Sequence, residues 1–539
     1  MAEPTPALQN EVHRLMVEAA QHFARGGLQQ AADNAAKVLQ LMPEMPDALH
    51  LMGLCLLRAG DPQRAAQLMR QALQRKPADA QLLHNFGIAC ADAGDATGAL
   101  GAFTRAAILD PRHAEARFNL GVISEGVGDP AGAEQAYRDT LELSPQHAGA
   151  AAYLASILEQ RSALEEAARW NAVALTAQAE EPVANLTAAQ LDIRGGRLEQ
   201  GVARLERLLS QRLTPRNRAL AAGRLGSAYD RLQQPDQAWP QFLAAKAALQ
   251  QTQPPQGPGV YTFATAERMA RRADALFEGV PSAAPTDTGA PVFLVGFPRS
   301  GTTLLDQMLS GHPSIAVLEE QDTLQDVLQA YALGDAGLEM FLGLDAAGLE
   351  PLRRAYWKRV AQFMPARPAG AVFVDKLPLN SVFMPLIHRL FPEARFIFAL
   401  RDPRDVVLSC FMQSFDLNEA MQHFLSLEET ARYYAAVMAA GADAEQRLGA
   451  RVHRIRYEDV VADTEAEARR LLAFLDLGWD PAVLDIQKTA KGKRINTPSY
   501  SQVAEPIYTR AKERWKRYEA QLAPVLPMLA PFVKKFGYP

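Results

Sequence analysis

Five positions, each just after a short apolar run, hold residues that can do chemistry: Arg299, Glu320, Lys376, Arg401 and Tyr457. Two guanidinium groups and an ammonium suit a polyanionic nucleotide, and a carboxylate among them can move a proton. Taken singly, each has a plainer alternative. Glu320 can be a solvated carboxylate beside Glu319, Lys376 can pair with Asp375 or another carboxylate, and Tyr457 can be core packing. Taken together they argue for a site, because ligands of open α/β sheets gather outside the carboxyl ends of the strands.

The stretch VFLVGFPRSGTTLLDQMLSGHPS, from Val292, reads as strand, turn and helix. Gly296, Gly301 and Thr303 fit the phosphate-loop pattern GxxxxGK[ST], but Thr302 stands at the lysine position and the nearest cation is Arg299. The first-turn amides of the following helix point into the loop, so a phosphate there gains backbone hydrogen bonds and the favourable end of the helix dipole. Arg299, Ser300, Gly301, Thr302 and Thr303 would form the cradle; a glycine turn capped by Ser or Thr is the plain alternative. In FALRDPRDVVLSCF a strand ends at Leu400, Asp402 and Pro403 open a helix, and Ser409 lies two turns further on. Arg401 and Ser409 can therefore grip a second phosphate, although RDPRD alone also reads as a helix cap with surface ion pairs.

The elements that must position these groups are legible as apolar runs at Val292, Ile315, Ala371, Phe396 and Val452, with helical patterns between them. Uninterrupted runs of this length predict a mostly parallel sheet covered on both faces, an α/β domain. Ahead of it the chain repeats. Pro43, Pro77, Pro111 and Pro145 are spaced by 34 residues, as are Gly53, Gly87 and Gly121, then Ala65, Ala99 and Ala133, and Met69, Phe103 and Tyr137. This is the signature of tetratricopeptide repeats, with small residues where paired helices approach and larger ones between them. About seven helix pairs are predicted over residues 1–250, an all-α solenoid with a concave groove. A Pro- and Gly-rich linker with a helical segment follows over 251–289, and the α/β domain occupies 290–539.

Composition narrows the setting. The 56 Lys plus Arg against 61 Asp plus Glu leave no overall electrostatic footprint for nucleic acid or an anionic membrane. Cys55, Cys90 and Cys410 are too few and too scattered for a disulfide framework or a zinc site. No apolar segment has the length of a signal core or a membrane span. A soluble, cytoplasmic protein is the expectation.

The lysine-free loop, with Arg401 and Ser409 eight residues apart, resembles the paired phosphate-binding elements of sulfotransferases that use 3'-phosphoadenosine 5'-phosphosulfate (PAPS). Over residues 290–520 the chain is more similar to the protein-tyrosine sulfotransferases than to the cytosolic small-molecule branch, whose RKGxxGDWK ending it lacks. His312, Pro313, Glu319 and Glu320 stand in the register of that family's HP and EE pairs, which implies Glu320 as catalytic base. DKLP around Lys376 resembles its lysine motif, RYEDVV puts Tyr457 where the family packs adenine, and SYSQVAEP implies Ser499 as a further transition-state donor. Arg514 before Trp515 falls where the family has a nucleotide-contacting lysine, whereas Gln413 replaces an arginine four residues after the phosphate-binding serine. The resemblance implies PAPS as co-substrate and no metal.

For that reaction a hydroxyl must lose its proton as it attacks sulfur, and a phenol with a pKa of about 10 is mostly neutral at working pH. Glu320 can take the proton, while Lys376 and Arg299 neutralise charge building on the bridging oxygen and phosphate. The repeats suit a groove that docks a protein or peptide acceptor, and equally a rigid spacer or a homodimer face. A carbohydrate or small-molecule hydroxyl is an alternative acceptor. A nucleotide kinase, which would need Mg²⁺ and the missing lysine, and a repeat scaffold with an inactive nucleotide domain are alternatives of other classes.

Overall fold

The computed structural model describes residues 5–252, 259–281, 290–368, 370–486 and 512–539. The N-terminal region is a tetratricopeptide-repeat solenoid of paired antiparallel helices, beginning with Pro6–Ala24 and Leu28–Leu41 and returning with the 34-residue period seen in the sequence. The period has a steric origin. A Cβ added at Gly87 would lie 2.6 Å from the Phe103 ring, so only glycine lets the second helix of the pair approach this closely. Asp61, Asp95 and Asp129 recur at the same interval, each capping a second helix by accepting a first-turn amide.

Among the described residues, seven helix pairs precede residue 250, the last being Pro215–Arg231 with Pro235–Leu249. By internal packing the chain divides into two compact units, Met1–Glu159 with Leu164–Thr187, and Gln160–Ala163 with Ala188–Pro539. The last helix pair thus lies in the same unit as the α/β domain. Ala238 and Phe242 from it share one buried cluster with Phe411, Trp515 and Tyr518.

Among the described residues, the α/β domain holds a five-stranded, wholly parallel sheet. Its strands are β1 (Val292–Gly296), β2 (Ile315–Glu319), β3 (Val372–Lys376), β4 (Arg395–Leu400) and β5 (Val452–Arg456), in the order β2-β3-β1-β4-β5. The apolar runs arise because both faces are covered. Phe293 and Val295 enter one core with Phe396 and Phe398, while Val292 and Leu294 enter the other with Val374, Ile397 and Ile455. The chain leaves β1 toward one edge of the sheet and leaves β4 toward the other. The crevice above the carboxyl ends of these two strands is therefore the topological switch point.

Candidate functional site

The five strand-end residues lie along the carboxyl edge in sheet order: Glu320 after β2, Lys376 at the end of β3, Arg299 after β1, Arg401 after β4 and Tyr457 after β5. At the β2–β3 end, Glu319 is paired with Lys376 in the parallel register, and the Glu320 amide donates to the Lys376 carbonyl at 2.7 Å. That register brings Lys376 Nζ to 3.0 Å from Glu319 and 2.9 Å from Glu320, with Asp306 at 3.9 Å. The Lys376 side chain is fully buried, while those of Glu320, Glu319 and Asp306 are 30%, 17% and 3% exposed. Glu320 is thus the carboxylate that a group arriving from solvent meets first. Burial opposes charge on Lys376, but the facing carboxylates outweigh it and hold the ammonium above its ordinary pKa. Glu319 is shifted upward by burial despite the lysine.

Of the plain partners offered for Lys376, Glu319 and Glu320 do pair with it, while Asp375 has other bonds. Its carboxylate accepts from the Thr323 and Tyr356 hydroxyls at 2.6 and 2.9 Å, and burial pushes it up to about 6. His312 accepts from the Ser314 amide through Nδ1, which leaves its Nε2–H to donate to the Gly478 carbonyl at 3.1 Å. The HP dipeptide therefore anchors the turn into β2.

The loop after β1 has the uncapped geometry of an anion site. Gly301 occupies the N-cap of helix Thr302–Ser310 at φ 91°, and no side chain from that position bonds the first-turn amides. A Cβ at Gly301 would meet the Tyr457 ring at 2.8 Å, so the glycine also lets the ring lie against the loop. Ser300, Thr302 and Thr303 are buried around the turn. Arg299 and Glu320 are both non-glycine residues with positive φ, 71° and 47°. Backbone held this way at two strand-end residues is the kind of strain that concentrates at functional sites.

The β4 end closes onto the same loop. Arg401 Nη1 donates to the Arg299 carbonyl at 3.2 Å, Arg299 Nε donates to Ser409 Oγ at 3.1 Å, and the Arg401 guanidinium lies 5.0 Å from the Tyr457 ring centre. The two phosphate motifs read from the sequence are thus one hydrogen-bonded cluster. Asp402 caps helix Pro403–Met412 through the Arg404 amide, and its own amide donates to Glu458. Asp405, near Arg401, accepts from the Trp515 amide at 2.7 Å, with burial pushing its carboxyl up to about 6.

Arg514, the nucleotide contact implied by resemblance, lies beside the last repeat helix pair. Its guanidinium pairs with Asp230 of helix Pro215–Arg231 at 2.9 Å, and Arg517 and the Tyr518 hydroxyl converge on the same carboxylate. Ser499 lies outside the described residues. Sequence reasoning missed Asp306, whose signal was its position one helical turn after Thr302 and Thr303. It also missed Asp230, which carried no local signal at all.

Residues 291–481 match the sulfotransferase family, and residues 22–86, 85–126 and 124–182 match tetratricopeptide repeats. The chain thus joins N-terminal tetratricopeptide repeats to a C-terminal sulfotransferase domain. It is 30% identical over 261 residues to an uncharacterised protein of Aquifex aeolicus, a match covering 46% of this chain and 33% of that one. It is 26% identical over 260 residues to protein-tyrosine sulfotransferase A of Caenorhabditis elegans, covering 46% of this chain and 67% of that enzyme. The chain therefore spans about a third of the Aquifex relative's length. Among solved structures, a tetratricopeptide repeat protein from Parabacteroides merdae superimposes with a TM-score of 0.37 at 18% identity, over 44% of this chain and 93% of that one. No helix among the described residues is long and apolar enough to cross a membrane.

Proposed function

We propose that the C-terminal unit is a PAPS-dependent sulfotransferase and that its acceptor is a hydroxyl, most fittingly a tyrosine in a protein or peptide docked by the repeats. The observation that carries this reading is the division of one sheet edge into two chemistries. A base with a buried ammonium beside it, Glu320 with Lys376, stands at one end, and the anion cluster of Arg299, Arg401 and Ser409 stands at the other. The residues fit the donor nucleotide, because the uncapped helix behind Gly301 and the Arg401–Ser409 pair offer two phosphate sites on one crevice.

The donor supplies an activated sulfuryl group whose bond to phosphate breaks with the electron pair left on the phosphate oxygen. Glu320 accepts the hydroxyl proton as the acceptor oxygen bonds to sulfur, and its partial exposure gives that hydroxyl access. Lys376, held protonated by its carboxylates, balances the negative charge that develops, and Arg299 does the same at the loop. Tyr457, against Gly301 and beneath Arg401, provides a flat face for the adenine. Ser499 would add a further donor.

The test is turnover of PAPS by the purified chain with tyrosine peptides, a carbohydrate and a simple phenol as acceptors, reading release of adenosine 3',5'-bisphosphate. Turnover on tyrosine peptides supports the full reading. Turnover only on a carbohydrate or small phenol moves the acceptor class, and no turnover on any acceptor overturns the enzyme.

A further inference from the structure

Lys246, on the last repeat helix Pro235–Leu249, is 4% exposed and lies against the sulfotransferase domain. Its ammonium donates to the Gln413 carbonyl at 2.7 Å and sits 5.5 Å from the Phe411 ring centre. Among the described residues no carboxylate pairs with it. Isolated buried ammonium groups are costly, and burial lowers this one to about 7. The place it occupies is specific.

Gln413 is the C-cap of helix Pro403–Met412, where the carbonyls and the negative end of the helix dipole are exposed. One turn back, Ser409 receives Arg299 Nε at 3.1 Å, and the next residue, Cys410, donates its thiol to the Pro298 carbonyl at 3.3 Å. The helix is therefore tied to the phosphate loop at Ser409 and Cys410 and to the repeat helix at Gln413. The Cys410 thiol, pushed up to about 12 by burial, feels three cations together: Arg299, Lys246 and Arg401.

We propose that Lys246 is a positioning residue of the phosphate site, fixing the end of the Ser409 helix and through it the Ser409–Arg299 pair, so that the last repeat takes part in nucleotide recognition. The inference rests on the assignment of the Arg401–Ser409 helix to the 3'-phosphate. Losing the contact frees the end of the helix, and small displacements of a phosphate donor weaken binding steeply.

Calorimetry on the full chain with adenosine 3',5'-bisphosphate and adenosine 5'-monophosphate tests it, with Tm followed in parallel. Lys246→Met should cut the preference for the bisphosphate about tenfold while leaving monophosphate affinity near wild type. Lys246→Arg, which keeps a charged donor, should recover most of that preference. An unchanged preference in Lys246→Met, or equal losses for both nucleotides, overturns the role. If Lys246→Met does not fold, Lys246→Gln against Lys246→Arg makes the same comparison, and equal preferences in those two overturn it. A wild type without any preference for the bisphosphate would instead sink the 3'-phosphate assignment itself, and this inference with it.

Discussion

Lys376 Nζ and Glu320 Oε1 are 2.9 Å apart, the lysine side chain wholly buried and the carboxylate side chain 30% exposed. The pair is asymmetric by construction. Glu319 and Asp306 also face the ammonium, so Glu320 can turn away from the lysine without leaving it uncompensated. The strand register supplies this, because Glu319 opposite Lys376 fixes where the next residue must emerge.

Glu320→Gln keeps the shape and removes proton acceptance. Turnover should fall by about 10² or more, with nucleotide affinity little changed. Glu319→Gln, less exposed and bonded to the same ammonium, should lose less. Comparing kcat and nucleotide Kd for the two variants checks the assignment, and near-normal kcat in Glu320→Gln would move the base elsewhere.

Arg401→Ala removes a guanidinium that bonds the Arg299 carbonyl and covers Tyr457. It should weaken adenosine 3',5'-bisphosphate by about tenfold or more while weakening adenosine 5'-monophosphate less. Ser409→Ala should show the same bias more mildly. Equal losses for both nucleotides in calorimetry would take Arg401 out of the 3'-phosphate role.

Asp375 gives a pH dependence of known sign. Its carboxyl is raised to about 6 in the folded protein, so the native state holds its proton more tightly than the unfolded chain. That contribution is fully present below about pH 4 and lost as pH rises through about 6. Asp375→Asn is neutral throughout and keeps an oxygen for the Thr323 and Tyr356 hydroxyls. Its stability relative to wild type should therefore improve by about 2–3 kcal/mol between pH 4 and pH 8. Thermal melts at both pH values decide, and a constant Tm difference would contradict the burial argument.

Truncation separates the repeats by role. A chain of residues 188–539 retains Asp230 and Lys246, whereas a chain of residues 251–539 strips the partners of Arg514, Arg517, Tyr518 and the Gln413 carbonyl. The longer piece should fold and keep its nucleotide affinity, with a raised KM for a protein acceptor if the removed repeats dock it. The shorter piece should lose cooperative unfolding, because Ala238 and Phe242 leave a shared core. Circular dichroism melts and nucleotide titrations of both pieces distinguish the cases. Equal behaviour of the two would show the last helix pair to be dispensable.

What the sequence disclosed follows from what is periodic or continuous. Strands buried on both faces write themselves as apolar runs, and a 34-residue repeat announces itself by glycines facing rings such as Phe103. The candidate site residues share a sequence position at strand ends: Glu320, Arg401 and Tyr457 directly follow β2, β4 and β5, Lys376 closes β3, and Arg299 lies three residues beyond β1. Asp306 was not legible, since its approach to Lys376 depends on how helix Thr302–Ser310 lies over the sheet. Neither were Lys246 with Gln413 or Asp230 with Arg514, pairs formed across a Pro- and Gly-rich segment that reads locally as a boundary. Composition marks where regular structure stops, but packing between elements on its two sides leaves no local trace.

The central place of β1 has a consequence during synthesis. Val292 pairs with Val374 on one side and Arg395 on the other, so the first strand of the sheet to leave the ribosome has both edges covered only after β4 has followed it, about 100 residues later. At translation rates of 5–20 residues per second the wait is on the order of ten seconds. During it VFLVG is a bare apolar strand, whereas the repeats ahead of it pair helix to neighbouring helix as they emerge. The nascent sulfotransferase domain, with its folded solenoid already outside, is therefore the stage at which this chain most needs a chaperone, and slower translation through residues 300–400 would lengthen its exposure to aggregation.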